Sequence, residues 1–338
     1  MSHNYLYGVP EIAPFLISRM TTELLPSQTR RPINIILPPA ISRAGERASK
    51  RFIEFFTANI RNRNTRAAYA RAVSAFFTWL DAKRIPLEAV TPVVVAAYVE
   101  QHPGADPSRK LALAAVRMLF DYLVTGGVLP MNPAASVKGP RYSLKRGKTP
   151  VLDQDQARAL IDSIDTSTII GLRDRALLGV MVYSFARIGA VVGMNIDDYR
   201  PNGKRWMFRL HEKGGKYHEV PAHHKAEEYL DAYLGASLIE ADRKSPLFQT
   251  VRHKRLTGNR LDRRDALRMV KRRACAAGLP SDICNHTFRA TGITVYLQNG
   301  GTLEKAQQIA NHESPRTTKL YDRTSDAITL DEVERIVL

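Results

Sequence analysis

A basic segment at residues 137–150, VKGPRYSLKRGKTP, constrains the fold more than any other feature because it divides the sequence into two parts. It combines glycine, proline and serine with lysines and arginines, among them Lys145 and Arg146. Such a composition offers no apolar stripe for a core and is typical of a tether between domains. A chain of 338 residues is long enough for a domain on either side. We therefore predict two domains joined by a basic linker, which either lies along a polyanion or serves only as a solvated tether.

Helical periodicity dominates the sequence before the linker. Four segments place apolar residues three and four positions apart, and the later ones open with N-cap residues or with proline in the first turn. These segments begin near Ala48, Asn64, Thr91 and Asp106. We predict a helical domain at residues 48–136, preceded by an extension of uncertain structure at residues 1–47.

Helix and strand patterns are mixed after the linker. Asp153 and Gln156 have the spacing of a capping box, which marks the start of a helix. Apolar residues alternate from Trp206 to Leu210, and a glycine-containing turn then leads into residues 217–221, a pattern typical of a β-hairpin. The sequence therefore predicts an α+β domain with a small antiparallel sheet at residues 151–338, ending in a helix at 329–337, within a mainly α protein.

The charge of the chain indicates its partner. The formal net charge is +17 and the isoelectric point is about 10.0, values typical of proteins that bind a polyanion, most often nucleic acid. An anionic membrane surface is the competing interpretation, but the basic residues are spread through both halves rather than along one amphipathic helix. The longest apolar run, residues 176–186, is far too short to span a bilayer. Two cysteines exclude a disulfide framework, so we expect a cytoplasmic protein.

Residues 285–324 carry the chemistry. His286 and Arg289 are three positions apart, so on a helix they share one face and can address one anion together. His312 and Tyr321 flank a helix-start signal at Ser314, which predicts two short helices with the tyrosine on the second. A phosphodiester needs fixed cations around its oxygens and a nucleophile, and arginine, histidine and tyrosine supply both. The stretch is therefore interpreted as a phosphodiester-cleaving site.

Arg187 lies in a strongly apolar helical stretch at residues 173–192. An arginine in such surroundings is expensive to bury unless it meets an anion. Two interpretations stay open: Arg187 binds the substrate phosphate, or it ends a helix and pairs with Asp197 or Asp198.

In this region the chain resembles the tyrosine recombinases, the phage integrase family, and especially those of mobile elements and plasmids. The matching residues are His286-Thr287-Phe288-Arg289, Asn311-His312, Thr317-Thr318 and Tyr321. The first domain, with the sequence NTRAAYARAVSAFFTWL, is similar to the core-binding domain of that family.

The resemblance implies a site-specific DNA recombinase that forms a 3′-phosphotyrosyl intermediate without cofactor or metal. It assigns catalytic functions to Arg187, Lys213, His286, Arg289, His312 and Tyr321. Within this assignment Lys213 is the general acid, matched to the first lysine of the family's Gly-Lys-Gly-x-Lys pattern. The chain departs from the family at Ala190, where an acidic residue usually follows the first arginine.

DNA contacts are expected from basic side chains in both domains and in the linker. The candidates are Arg61, Arg63, Arg66, Lys145, Arg146, Lys216, Arg264, Arg268 and Lys271. The last three lie on the outer face of a helix that is predicted to begin near Asp262. For any single one of them, a solvated surface position is the plain alternative.

The implied partners are double-stranded DNA and further copies of the chain, in a tetramer on paired sites with exchange of the C-terminal helix. No membrane partner is expected, and the location would be the bacterial nucleoid. Two other functions stay open. A DNA-binding regulator that does not cut would use residues 303–320 as a helix-turn-helix with Thr317 capping the recognition helix. It could also be a degenerate recombinase that keeps DNA binding but has lost cleavage, for which Ala190 is the hint. A type IB topoisomerase would share the chemistry without pairing two sites.

Overall fold

The computed structural model describes residues 36–141, 147–212, 217–239, 242–322 and 334. The chain divides into two compact units, with the boundary between Ser143 and Leu144, inside the predicted linker. Several predictions fall outside the described residues: those for Lys145, Arg146, Lys213 and Lys216, for the terminal helix at 329–337, and for residues 1–35 of the extension.

The first unit is helical in its described residues, as predicted. Its helices are α1 (Pro39–Arg43), α2 (Glu46–Glu54), α3 (Arg63–Ala82), α4 (Pro92–Gln101) and α5 (Asp106–Thr125), with a π-helical turn at Phe55–Asn59 and a 3-10 turn at Leu87–Ala89. The caps explain two starts: the Asn62 side chain accepts hydrogen bonds from two α3 amides, and Thr91 accepts one from Val94. Helix α1 buries Ala40 and Ile41 in the core of this unit, so the helical domain includes residues that the sequence assigned to the extension.

Aromatic side chains fill the core of the first unit. Phe76 is fully buried, and its ring lies edge-on to Tyr98 and Phe120 at centroid distances of 5.0 and 5.9 Å. Each such ring stabilises the unit by about 1.5–3 kcal/mol through burial. The aromatic stripe of α3 therefore serves packing, as its periodicity indicated.

The second unit mixes helices with two small sheets. Its helices are α6 (Gln154–Asp162), α7 (Ile169–Ser184), α8 (Ile188–Val191), α9 (His224–Ser237), α10 (Arg263–Ala276), α11 (Asn285–Gln298), α12 (Leu303–Ala310) and α13 (Pro315–Lys319), and a 3-10 turn covers Ile196–Asp198. The capping box of Asp153 and Gln156 is present at α6, and Asp262 caps α10, so both predicted starts are confirmed. Among the described residues no helix is long and apolar enough to cross a membrane.

The predicted hairpin is part of a three-stranded antiparallel sheet. Its strands are β1 (Tyr199–Asn202), β2 (Arg205–His211) and β3 (Tyr217–Pro221), in the order β1-β2-β3. Phe208 at the centre of β2 pairs with Tyr199 and with Val220, and all three side chains are buried in the core of the unit. The end of β2 is thereby fixed close to the helices that carry the site.

A second hairpin, β4 (Gln249–Arg252) and β5 (Arg255–Arg260), was not predicted. Strand β5 exposes almost all of its residues, so it lacks the apolar alternation that marks a strand. Its turn residues His253 and Lys254 both adopt positive φ without the usual Asn-Gly pair.

Helices α7 and α11 pack closely in the centre of the second unit. A Cβ on Gly292 would lie only 2.2 Å from the carbonyl oxygen of Val182, so only glycine permits this approach. The contact brings α11, which carries His286 and Arg289, against the helix that ends just before Arg187.

Candidate active site

Two left-handed residues end helices and set the direction of the segments that follow. Helix α7 is capped at its C-terminal end by Phe185, with φ of 53°, and Arg187 lies two residues later as the N-cap of α8. Helix α12 is capped by Asn311, with φ of 47°, and His312 follows directly. Asparagine tolerates this conformation, whereas a bulky residue such as phenylalanine adopts it only when its surroundings hold it there. Arg187 and His312 therefore both follow a helix end at which the backbone changes direction.

Arg289 ties these two helix ends together. Its guanidinium donates one hydrogen bond to the carbonyl oxygen of Phe185 and a second, from Nη2, to that of Ala310 at 2.6 Å. The residue is 1% exposed, and its Nε has no hydrogen-bond partner within the described part of the chain. A buried N–H without a partner beside a fixed positive charge favours a nearby anionic oxygen, and the Tyr321 side chain is close enough to interact with this guanidinium.

Tyr321 is held by its backbone and by its hydroxyl. Helix α13 ends at Lys319, so the tyrosine follows the second short helix instead of lying on it, and the prediction was wrong on this point. Its carbonyl oxygen accepts a hydrogen bond from Thr294 Oγ1 at 2.8 Å, and its amide donates to the carbonyl oxygen of Thr318 at 2.9 Å. Its hydroxyl lies 2.5 Å from His286 Nε2. The phenol is 7% exposed and has a fixed direction.

His312 packs against the nucleophile candidate. Its ring lies nearly parallel to that of Tyr321, at 7° and a centroid distance of 5.7 Å. Its Nδ1 lies 2.9 Å from Thr318 Oγ1, and both residues are buried. This hydrogen bond orients the imidazole and leaves its Nε2 without a partner among the described residues.

The surroundings shift the pKa values of the site in a consistent way. His286 is exposed, but desolvation of its ring, and then the charges of Arg289 and Arg187, lower its pKa from its ordinary value. Burial and the same two charges lower the pKa of His312 to about 3. Burial lowers the pKa of Arg289 to about 10, and the nearby charge of Arg187 acts in the same direction. Burial raises the pKa of Tyr321, although both arginines oppose it. At neutral pH the histidines are therefore uncharged and the arginines carry the positive charge.

Arg187 meets a different carboxylate from those predicted. Its Nη1 donates to Glu212 Oε2 at 2.8 Å. The predicted partners are engaged elsewhere: Asp197 pairs with Arg243, and Asp198 with Arg209 at 2.7 Å. The helix-end pairing with Asp197 or Asp198 was therefore wrong.

The structure brings five of the six predicted catalytic residues into one region of the second unit. Contacts and electrostatic interactions link Arg187, His286, Arg289, His312 and Tyr321. Lys213, the sixth, lies outside the described residues. Sequence reasoning assigned no function to Glu212, and no signal in its neighbourhood indicated its contact with Arg187. Thr318 belongs to the Thr317-Thr318 pair that matches the family. That match was the sequence signal that could have indicated its hydrogen bond to His312.

The predicted DNA contacts in the first unit differ in their exposure. Arg61 and Arg63 are exposed. Arg66 is half-buried and donates from both Nε and Nη2 to the carbonyl oxygen of Ile60, at 2.9 and 2.7 Å. Its guanidinium therefore closes the end of the preceding helix, and a phosphate would have to share it.

The basic face of α10 is present as predicted. Arg264 and Arg268 are exposed, with ion pairs to Asp262 and Asp265 on the same helix. Lys271 is also exposed, and its ammonium donates to the carbonyl oxygen of Ser281. Exposed pairs of this kind contribute only about 0–1 kcal/mol, so an arriving phosphate displaces them easily.

The helix-turn-helix interpretation of residues 303–320 fits the structure poorly. Ser314, not Thr317, caps α13, and this helix has only five residues. Thr318 is fully buried and binds His312, so this helix face is not available to a DNA groove. Within the described residues, no group of three or more histidine, cysteine, aspartate or glutamate side chains could hold a metal ion.

Comparison with known proteins identifies the family. Residues 150–327 match the phage integrase family, and residues 50–127 match its N-terminal SAM-like domain. The chain belongs to the phage integrase family, the tyrosine recombinases, which break and rejoin DNA.

Curated relatives cover most of the chain. Tyrosine recombinase XerC of Pelobacter propionicus is 30% identical over 272 residues, covering 78% of this chain and 85% of that protein. Tyrosine recombinase XerD of Corynebacterium glutamicum is 29% identical over 280 residues, covering 78% and 89%.

Solved structures share the fold. The XerH recombinase in a post-cleavage complex with a palindromic difH substrate has a TM-score of 0.64 at 20% identity, covering 76% of this chain and 75% of that chain. A lambda integrase dimer on a COC′ core site has a TM-score of 0.63 at 18% identity, covering 94% and 84%. The predicted fold class is confirmed.

Proposed function

We propose that the protein is a site-specific DNA recombinase in which Tyr321 is the nucleophile. Its oxygen attacks the scissile phosphorus, the bond to the 5′ oxygen breaks, and a 3′-phosphotyrosyl link and a free 5′ hydroxyl result. A 5′ hydroxyl from the partner strand then attacks the same phosphorus and releases the tyrosine. One phosphodiester is exchanged for another, so the reaction requires no nucleotide.

The 2.5 Å contact between His286 Nε2 and the Tyr321 hydroxyl carries the proposal. Burial raises the pKa of this phenol, so it attacks only when a base takes its proton. The lowered pKa of His286 keeps its imidazole neutral at physiological pH, which is the form that accepts a proton. The pair therefore has the geometry and the protonation states of a nucleophile with its base.

The arginines and His312 complete the proposed site. Arg289 offers its unpaired Nε and its charge to one non-bridging oxygen, and Arg187 offers the guanidinium nitrogens that Glu212 leaves free. His312 donates from Nε2 to the phosphate, because the Thr318 hydroxyl occupies its Nδ1. Loss of one such donor slows chemistry by a factor of about 10²–10³.

Lys213 is proposed as the general acid that protonates the 5′ oxygen. The resemblance to the family supports this function, and so does its position directly after Glu212, which contacts Arg187. Lys216 is proposed as a phosphate contact on the same turn.

DNA is the proposed substrate and a homotetramer on paired sites the proposed assembly. The charge of +17 supports the first, and similarity to recombinases solved on DNA, including a lambda integrase tetramer on a Holliday junction, supports both. We propose integration, excision or resolution of a mobile element or plasmid, at the bacterial nucleoid, as the biological reaction. Exchange of the C-terminal helix between subunits would couple cleavage to assembly.

Covalent capture tests this function. The protein is incubated with fragmented DNA of its own replicon, denatured, and the DNA that remains attached is sequenced beside a Tyr321→Phe control. We expect ends clustered at one site and no signal in the control. Specific binding without an adduct that depends on Tyr321 would refute the proposal and favour a regulator, whereas relaxation of supercoils without pairing of two sites would favour a topoisomerase.

A further inference from the structure

Glu212 is a nearly buried carboxylate in a site otherwise built from cations and neutral rings. Its Oε2 accepts from Arg187 Nη1 at 2.8 Å, and its side chain is 6% exposed, against 42% for Arg187. Burial of a carboxylate is expensive unless it is paired, and this pair meets that condition. The contact leaves the other guanidinium nitrogens of Arg187 without a hydrogen bond among the described residues.

The sheet fixes the position of Glu212. The preceding residue, His211, pairs with Tyr217 at the end of the β2-β3 ladder. Its Nε2 lies 3.0 Å from both carboxylate oxygens of Asp198, which is 1% exposed and also accepts from the amide of Asn195 at 2.8 Å. Glu212 therefore follows an anchored strand end and does not depend on a free loop for its position.

Two departures from the family's pattern explain each other here. Ala190 stands where an acidic residue usually follows the first arginine, and it is 3% exposed in the apolar core. Glu212 stands where the family's pattern has glycine before its first lysine. One carboxylate is missing from the short helix α8, and another, directly after strand β2, contacts the same arginine.

We propose that Glu212 is the positioning residue of Arg187 in DNA cleavage and replaces the carboxylate that is missing at Ala190. The inference rests on the proposed function, because Arg187 must bind the scissile phosphate for its orientation to matter. Glu212 fixes one edge of the guanidinium and leaves the rest for a phosphate oxygen. It also reduces the mutual repulsion of Arg187 and Arg289 before DNA arrives.

Three substitutions separate charge from shape. Glu212→Gln keeps the size and removes the charge, Glu212→Ala removes both, and Glu212→Asp keeps the charge on a shorter side chain. The matched control is Glu219→Gln, which breaks the ion pair of Glu219 with Arg200 on the same sheet. The readouts are the single-turnover rate constant for formation of the Tyr321 adduct at saturating DNA, the burst amplitude and the dissociation constant.

We expect the Gln and Ala variants to lower the rate constant about 100-fold, the effect of one misplaced donor, with unchanged amplitude and DNA affinity. The Asp variant should lie between them and the wild type, and Glu219→Gln should equal the wild type. An unchanged rate constant, or a loss confined to the burst amplitude, would show a dispensable or merely structural contact and overturn the inference. An absent adduct in the wild type would instead refute the proposed function itself.

A substrate with sulfur in place of the 5′ bridging oxygen excludes an indirect effect through Lys213. A thiolate is a much weaker base than an alkoxide, so it leaves without a general acid. If Glu212 acts through Arg187, the 100-fold loss persists on this substrate. If the sulfur restores the rate, Glu212 acts through the neighbouring lysine and the inference is wrong.

Discussion

The protonation of His312 offers a quantitative test of the site. The folded chain holds the pKa of this imidazole at about 3, whereas an unfolded chain restores the ordinary value of 6.5. Below pH 6.5 the unfolded chain therefore binds a proton that the folded chain rejects. As the pH decreases below 6.5, the free energy of unfolding must therefore decrease, and it continues to decrease until the pH reaches the folded-state pKa of about 3.

The size of the effect follows from the two pKa values. At pH 8 both states are neutral and His312 contributes no pH dependence. At pH 5 the unfolded histidine is almost fully protonated and the folded one is not, so His312 alone removes about 2 kcal/mol of unfolding free energy. This is a sizeable fraction of the 5–15 kcal/mol typical of a domain.

The substitution His312→Asn isolates this contribution. The asparagine amide lies near the former Nδ1 and keeps a hydrogen-bonding group for Thr318, but it does not titrate. We expect the variant to lose packing against Tyr321 and to be less stable at pH 8. Between pH 8 and pH 5, however, we expect it to lose about 2 kcal/mol less than the wild type, because the other titrating groups are common to both.

Urea unfolding at the two pH values, followed by tryptophan fluorescence and circular dichroism, measures the difference. The control is His253→Asn, since His253 is exposed at the turn between β4 and β5 and asparagine tolerates its positive φ. This variant should follow the wild type. Equal losses for His312→Asn and the wild type would refute a buried, neutral His312 and the phosphate contact proposed for it.

Three further substitutions test the packing of the second unit and the supports of its site. Asp174 is fully buried and accepts hydrogen bonds from Arg173 and Arg273. Asp174→Asn removes this negative charge and leaves both arginines without it, so we expect the free energy of unfolding in urea to fall by about 3–5 kcal/mol. Thr294→Val removes the hydrogen bond to the Tyr321 carbonyl oxygen; stability should fall by about 1–3 kcal/mol and the adduct rate should fall at unchanged DNA affinity. Arg289→Lys keeps a charge but cannot bridge two carbonyl groups, so the adduct rate should fall at least 100-fold, about the effect of a lost oxyanion donor. A near-normal rate in this last variant would show that Arg289 contributes only its positive charge and that its hydrogen bonds to Phe185 and Ala310 are not required for cleavage.

The sequence predicted helices best where local chemistry decides. Thr91 and Asp262 cap their helices as predicted, because a cap depends on a few adjacent residues. Strand β5 escaped prediction because its side chains face solvent and its pairing with β4 is set by a turn of non-glycine residues. The start of the first unit could not be predicted either, because α1 has only five residues and is too short to show helical periodicity in the sequence.

Most residue types of the site could be predicted because His286, Arg289, His312 and Tyr321 follow a linear pattern near the C-terminal end of the second unit. The residues that these side chains contact could not be predicted from the sequence. Glu212 reaches Arg187 only because strand β2 ends beside the start of α8. The sequence alone gives no reason to choose Glu212 over Asp197 or Asp198 as the partner of Arg187. The predicted partners, Asp197 and Asp198, are closer in sequence, yet each pairs with another arginine.

Arg289 shows why structure and chemistry are inseparable in this site. The left-handed conformation of Phe185 costs about 1–2 kcal/mol relative to an ordinary helical residue. A charge-assisted hydrogen bond from Arg289 to its carbonyl oxygen contributes about 1.5–3 kcal/mol, which is enough to offset that strain. The same guanidinium holds Ala310 at the end of α12, just before His312. One side chain therefore fixes the helix ends that direct Arg187 and His312 while keeping its Nε unpaired for the substrate.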